Sequence, residues 1–215
     1  MRAPKSNICV LCGVRPATTR DHLPPKGWFK GLGAQLITVP ACAECNEGAS
    51  SDDVDLRFYI SAQIGKQTDG SAALWDNGAH KTILKKAALR KSFLASARDV
   101  VVTDADGVDI TRLAFVVPVR LYQKEFERIV RGLYFHHTTR ILPQSAPVIV
   151  TLLTAADFEN QDVRELHKHH IGGDACIYRF GVAEDQIDSS VWVFEFYSSH
   201  FVMVATGAAS ENEGV

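Results

Sequence analysis

Cys9-Val10-Leu11-Cys12 and Cys42-Ala43-Glu44-Cys45-Asn46 are two C-x2-C pairs separated by residues 13–41, and Asp21-His22 lies inside that interval. Four thiolates in two such knuckles are the usual ligand set of a closed, tetrahedral structural zinc site. Zinc bound there would draw Asp21, His22 and the Asn46 that follows the second pair close together. These residue types suit metal-assisted hydrolysis. The pairs therefore predict a small metal-held lobe at the start of the chain.

Composition sets the frame around that lobe. With 215 residues and 46% apolar content, the chain can bury one core of ordinary size, or a small metal-stabilised lobe beside one core, and the knuckles favour the second. No run of eighteen apolar residues occurs, and Met1-Arg2-Ala3-Pro4-Lys5-Ser6-Asn7 lacks the apolar stretch of a secretion signal. The expectation is a soluble cytoplasmic protein with no membrane association. Five cysteines, four of them in knuckles, fit a reducing compartment, and Cys176 reads as a buried strand residue.

The net charge of -2 hides a split: residues 1–50 carry six Lys/Arg and three Asp/Glu, formally +3, and the remainder is formally -5. Four thiolates and one Zn2+ would leave the first lobe near +1. This excludes a strongly basic nucleic-acid domain and predicts modest phosphate affinity that salt removes.

Beyond the knuckles the pattern changes. Ser50-Ser51-Asp52-Asp53 can cap a helix carrying Val54, Phe58, Ile60 and Ile64 as far as Gly65. Residues 66–79 read as an irregular connection, followed by a lysine-rich helix over residues 80–98. Val100–Thr103 and Val108–Ile110 read as a hairpin, with a further strand over Leu113–Val117. Val119, Tyr122, Phe126, Ile129, Val130 and Leu133 recur at helical spacing and predict an amphipathic helix ending near Tyr134. Pro147–Leu153 reads as a buried strand. Thr154–Asp157 can cap a helix running to His170. Residues 175–205 read as three strands with a turn at Ser198-Ser199, and Trp192, Phe194 and Phe196 should share one sheet face. The expected class is α+β: a zinc lobe over residues 1–53, a domain with a mainly antiparallel sheet over 54–205, and a disordered tail over 206–215.

Residues 9–53 resemble a zinc-stapled HNH endonuclease, a ββα-metal nuclease built on a treble clef. The likeness rests on Cys9-x-x-Cys12, Thr19-Arg20-Asp21-His22-Leu23-Pro24-Pro25-Lys26, Gln35-Leu36-Ile37-Thr38-Val39-Pro40 and Cys42-x-x-Cys45-Asn46. It implies a structural Zn2+ on Cys9, Cys12, Cys42 and Cys45. It further implies a catalytic Mg2+ or Mn2+ on Asp21 and Asn46, with His22 as general base and nucleic acid, DNA rather than RNA, as substrate. Gln35 stands where the family has the asparagine that orients the histidine, and is one methylene longer. The alternative is a treble-clef zinc module that binds nucleic acid or a protein partner without cutting. Successive strand residues point to opposite faces, so Asp21 and His22 can converge only where the backbone is irregular.

Arg15, Arg20, Lys26 and Lys30 flank this element and are the candidate phosphate contacts. Between the lysines, Trp28 and Phe29 offer a base-stacking surface or core packing for the lobe. His167-Lys168-His169-His170 reads as solvated histidines ending a helix in preference to a second metal site, and His136-His137 likewise. Residues 54–215 suggest a homodimer contact or a protein partner without naming either.

Overall fold

The computed structural model describes residues 5–62, 68–103, 106–159, 162–163, 165–186 and 188–207. The fold is α+β. Strands β1 (Thr19–Leu23) and β2 (Ile37–Ala41) form an antiparallel pair in which Asp21 lies opposite Val39 and His22 opposite Thr38. Two helices follow, α1 (Ala43–Glu47) and α2 (Ser50–Ser61). The expected continuation of α2 to Gly65 falls on residues outside those described.

After α3 (Asp69–Leu74), a π-type turn at Trp75–Ala79 leads into α4 (His80–Lys85) and α5 (Ala87–Ser96). The single helix expected over residues 80–98 is thus broken, because Lys86 takes an extended conformation and its Nζ reaches the carbonyl and hydroxyl of Ser51 and the carboxylate of Asp55 on α2. The predicted hairpin is present as β3 (Arg98–Thr103) and β4 (Asp109–Ala114), paired only with each other among the described residues. Its last strand stops at Ala114, short of Val117. Phe115 leaves the ladder to pack on Phe93, with ring centroids 5.0 Å apart.

Helix α6 (Val119–Thr138) is the central element. Its apolar stripe of Tyr122, Phe126, Ile129, Val130 and Leu133 is fully enclosed, as its period predicts. One side faces the five-stranded antiparallel sheet of β5 (Val148–Leu153), β6 (His167–Ile171), β7 (Cys176–Val182), β8 (Ser190–Phe196) and β9 (His200–Thr206), ordered β5-β9-β8-β7-β6. Trp192, Phe194 and Phe196 share the covered face with their cross-strand partners Phe180, Tyr178 and Cys176. Aromatic ladders of this kind contribute about 0.5–1.5 kcal/mol per ring pair beyond area burial.

The other side of α6 meets the cysteine-knuckle segment. Gly132 makes this approach possible: a Cβ there would lie 1.9 Å from Leu23 Cδ1 and 3.2 Å from Val39 Cγ2. Trp28 and Phe29 are both buried, so both side chains pack instead of offering a stacking surface. Trp28 meets Phe196 edge-on with centroids 5.4 Å apart, lies 6.2 Å from Phe126, and donates from Nε1 to the Asp53 carbonyl at 2.9 Å. Tyr197 donates its hydroxyl proton to the Trp28 carbonyl. Buried residues of the knuckle segment and of the sheet belong to one apolar cluster.

The expectation of a helix through His170 is corrected. Thr154 and Asp157 do form the predicted reciprocal cap, with Asp157 accepting from the Thr154 amide at 3.0 Å and the Asp157 amide donating to Thr154 Oγ1 at 3.1 Å. The helix they start, α7, spans only Ala155–Glu159. Residues 167–171 instead pair with β7, where His169 stacks on Tyr178 at 5.2 Å and packs on Phe180 at 5.6 Å. Long-range pairing on an aromatic face outweighs local helix propensity. His136 and His137 do not follow α6 but lie within it, half-buried, and the His137 ring sits 4.7 Å from that of His169. No helix of the described residues is long and apolar enough to cross a membrane. Of the expected tail, residues 208–215 lie outside the described residues.

Candidate metal centre and the carboxylate cage behind it

Four sulfur atoms converge. The Sγ atoms of Cys9, Cys12, Cys42 and Cys45 lie within 4.8 Å of one another, and among the described residues they form the one cluster of His, Cys, Asp or Glu groups that could hold a metal ion. The knuckle backbone builds the site: the Gly13 amide donates to the Cys9 carbonyl at 2.8 Å with Gly13 at φ 66°, and the Cys9 amide donates to the Arg15 carbonyl at 2.8 Å. Positive φ at that turn is the ordinary use of glycine. Burial pushes the thiols of Cys9 and Cys45 up, Cys45 to about 12. Burial acts in the same sense at Cys12 and Cys42, but hydrogen-bonding by backbone amides and neighbouring groups outweighs it, and Cys12 falls to about 6.

Four sulfurs this close fit a soft or borderline divalent ion such as zinc, which would take all four as thiolates. Arg15 caps the cluster. Its Nε donates to Cys42 Sγ at 3.2 Å and its Nη2 to Cys45 Sγ at 3.4 Å, and the guanidinium also pairs with Glu44.

The hairpin separates the residues expected to act together. Thr19, Asp21 and Leu23 face inward and Arg20 and His22 face outward, the alternation of a regular strand. Asp21 turns its buried carboxylate to Arg128 of α6. His22 is half-buried on the opposite face, and its ring makes no hydrogen bond among the described residues. Gln35 is exposed in the segment ahead of β2 and makes no hydrogen bond to His22. Asn46 does reach β1: its Nδ2 donates to Thr19 Oγ1 and to the Arg20 carbonyl, both at 3.2 Å. Its amide nitrogen thus ties α1 to the hairpin. Arg20 lies flat across the outer face and donates to Thr38 Oγ1 at 3.1 Å and to the Thr38 carbonyl at 2.6 Å. Lys26 and Lys30 are exposed, with no ion pair or side-chain hydrogen bond among the described residues.

Behind Asp21 lies a group that the sequence reading did not single out. The Arg128 guanidinium pairs through Nη1 with Asp21 and through Nη2 with Asp53 of α2 and Glu125 one turn back on α6, the last at 2.7 Å. Three carboxylates from three elements share one cation, so the cage is formally at -2 when all are ionised. Burial raises Asp21 even though Arg128 opposes it, and Asp53 is pushed up to about 8, first by burial and then by hydrogen-bonding with Glu125. Burial alone would lower Arg128, but Glu125, Asp21 and Asp53 hold it above its ordinary value. One guanidinium cannot neutralise three buried carboxylates, and burial accordingly favours the protonated form of Asp53.

One signal for this cage was present in the sequence. Glu125 stands three residues after Tyr122 and four before Ile129, inside the apolar stripe of α6, with Arg128 one turn on. No family model, curated protein or solved structure matches the chain.

Proposed function

We propose that this chain is a zinc-stapled module that holds nucleic acid without hydrolysing it. The observation that carries the reading is the Arg128 guanidinium between Asp21, Asp53 and Glu125. Metal-assisted phosphodiester hydrolysis needs a divalent cation held by hard oxygen ligands beside the attacking water. Asp21, the carboxylate assigned to that cation by likeness to HNH nucleases, already has a cationic partner, and only 5% of its surface is exposed. With its ligand engaged, a second cation has no ready seat. Zn2+ on Cys9, Cys12, Cys42 and Cys45 remains, with an outer face that carries Arg20 and His22 and a following turn that carries Lys26 and Lys30. The test is a supercoiled-plasmid nicking assay with Mg2+, Mn2+ or EDTA, run beside fluorescence anisotropy on labelled DNA. The expected result is salt-sensitive binding in every condition and no nicking. Nicking that depends on Mg2+ and disappears in His22→Ala would overturn the reading.

One observation favours a second reading, a divalent-metal-dependent endonuclease with His22 as base. The His22 ring is accessible and makes no hydrogen bond among the described residues, so it is free to take a proton from water. On that reading Gln35→Ala leaves the rate unchanged, since no bond joins Gln35 to the imidazole.

A further inference from the structure

Four basic side chains flank the hairpin, and their surroundings divide them. Arg15 is committed to two cysteine sulfurs and Glu44, and Arg20 to Thr38. Lys26 and Lys30 have no such commitments among the described residues. They line a cavity of about 440 Å3 together with Phe29, Gly31, Gly33 and Leu36. This cavity is formed by the turn that joins β1 to β2.

The backbone of this turn is open as well. Within the turn the Leu32 amide donates to the Phe29 carbonyl at 3.1 Å, and the hydrogen-bonded turn over residues 30–33 closes on the Ala34 amide. The amides of Gly31 and Gly33 have no backbone acceptor among the described residues. Gly31 has φ 91° and Gly33 has φ 60°, the left-handed setting that builds amide concavities for anions. A Cβ at Gly33 would meet nothing within 4 Å, so space does not require glycine there and the backbone conformation does. The turn is held from outside: Gly172, at the β6–β7 connection, approaches so closely that a Cβ there would lie 3.3 Å from Phe29 and 3.2 Å from Ala34. Free amides on a braced turn, beside two unpaired ammonium groups, are complementary to a tetrahedral oxyanion.

We infer that residues 26–36 form a phosphate-binding loop, in which Lys26 and Lys30 neutralise a phosphate whose oxygens accept from the amides of Gly31 and Gly33. In the setting of the proposed function, on which this inference rests for its natural ligand, that phosphate belongs to the backbone of a single-stranded nucleic acid. A free phosphoryl compound offers the same chemistry, and the experiment separates the two sources.

The full-length zinc-loaded chain is titrated with inorganic pyrophosphate while its amide resonances are followed by NMR, and with a labelled twelve-nucleotide single strand by anisotropy at several salt concentrations. Wild type, the double variant Lys26→Ala/Lys30→Ala and the double variant Lys26→Arg/Lys30→Arg are compared, with Lys168→Ala, an exposed lysine on β6, as a control. The expected result is that pyrophosphate shifts the Gly31 and Gly33 amides and that both ligands bind at least tenfold more weakly to the alanine variant. The arginine variant should bind like wild type. The slope of log K against log salt for the single strand should be shallower by about 1.4 in the alanine variant, two contacts at about 0.7 each. Unmoved loop amides, or equal pyrophosphate affinity in wild type and the alanine variant, would overturn the inference. Pyrophosphate bound at the loop with no single-strand binding would keep the loop and remove the nucleic-acid reading. Single-strand binding that ignores Lys26 and Lys30 would do the reverse.

Discussion

Arg128 donates through Nη1 to Oδ2 of Asp21 across 107 residues of sequence, and both side chains are buried where α6 crosses the hairpin. This bond joins the knuckle segment to the central helix. Removing one partner of a buried ion pair leaves an uncompensated charge and typically costs about 3–5 kcal/mol. Arg128→Met should lower unfolding stability by that order in chemical denaturation. Arg128→Lys should recover part of the loss, since one ammonium cannot serve three carboxylates in a fork. A change below about 1 kcal/mol for Arg128→Met would show that the cage contributes little.

Zinc removal should be felt beyond the knuckles. Leu11, Leu23 and Trp28 share a cluster with Phe126, Phe196 and Trp192, so the knuckle segment should not melt alone. The purified chain is expected to carry one zinc by elemental analysis. Chelation, or Cys45→Ser, should shift a single thermal transition to lower temperature by both far-ultraviolet circular dichroism and tryptophan fluorescence. Two separated transitions, the later one unaltered by chelation, would mean that the sheet and α6 are stable without the zinc segment.

Gly132→Ala tests the helix crossing itself. The added methyl meets Leu23 at a distance no packed atoms tolerate, and overpacking of this kind costs about 1–3 kcal/mol. The expected variant binds zinc normally and unfolds at lower denaturant concentration with an unchanged slope. Stability equal to wild type would require α6 and the hairpin to sit further apart.

Stability should change with pH on both sides of neutrality. Burial, then the neighbouring histidines His136, His169 and His167, hold His137 down at about 3, well under the ordinary 6.5. A depressed histidine contributes stability that is complete above pH 6.5 and is lost as pH falls towards about 3. Asp53 is raised to about 8, so its contribution is complete below its ordinary 3.8 and is lost as pH rises through about 8. His137→Phe should flatten the acid limb and Asp53→Asn the limb from about pH 4 to 8 in urea titrations. Limbs that persist unchanged in both variants would assign the pH dependence to other groups.

Local rules carried the sequence reading well where the signal was local. The two C-x2-C pairs named the four converging sulfurs, the spacing of Tyr122, Phe126, Ile129 and Leu133 gave α6, and the alternation of Trp192, Phe194 and Phe196 gave one sheet face. It failed where distant partners decide. His167–Ile171 became a strand because β7 offers Tyr178 and Phe180 to the imidazoles, and Lys86 broke a helix to reach Ser51 and Asp55. The cage is the largest such case. Asp21, Asp53 and Arg128 are brought together by the crossing of α6 over the hairpin, and nothing in the motif around Asp21 announces an arginine arriving more than one hundred residues later.

Arg128 is proposed to stand where a second cation would otherwise sit. Titration of Mn2+ into the zinc-loaded chain, followed by electron paramagnetic resonance of free Mn2+, tests it directly. Wild type is expected to bind no Mn2+ beyond weak surface association, with Asp21→Asn indistinguishable from it. One Mn2+ bound per chain in wild type, and lost in Asp21→Asn variants that remain folded and zinc-loaded, would contradict it.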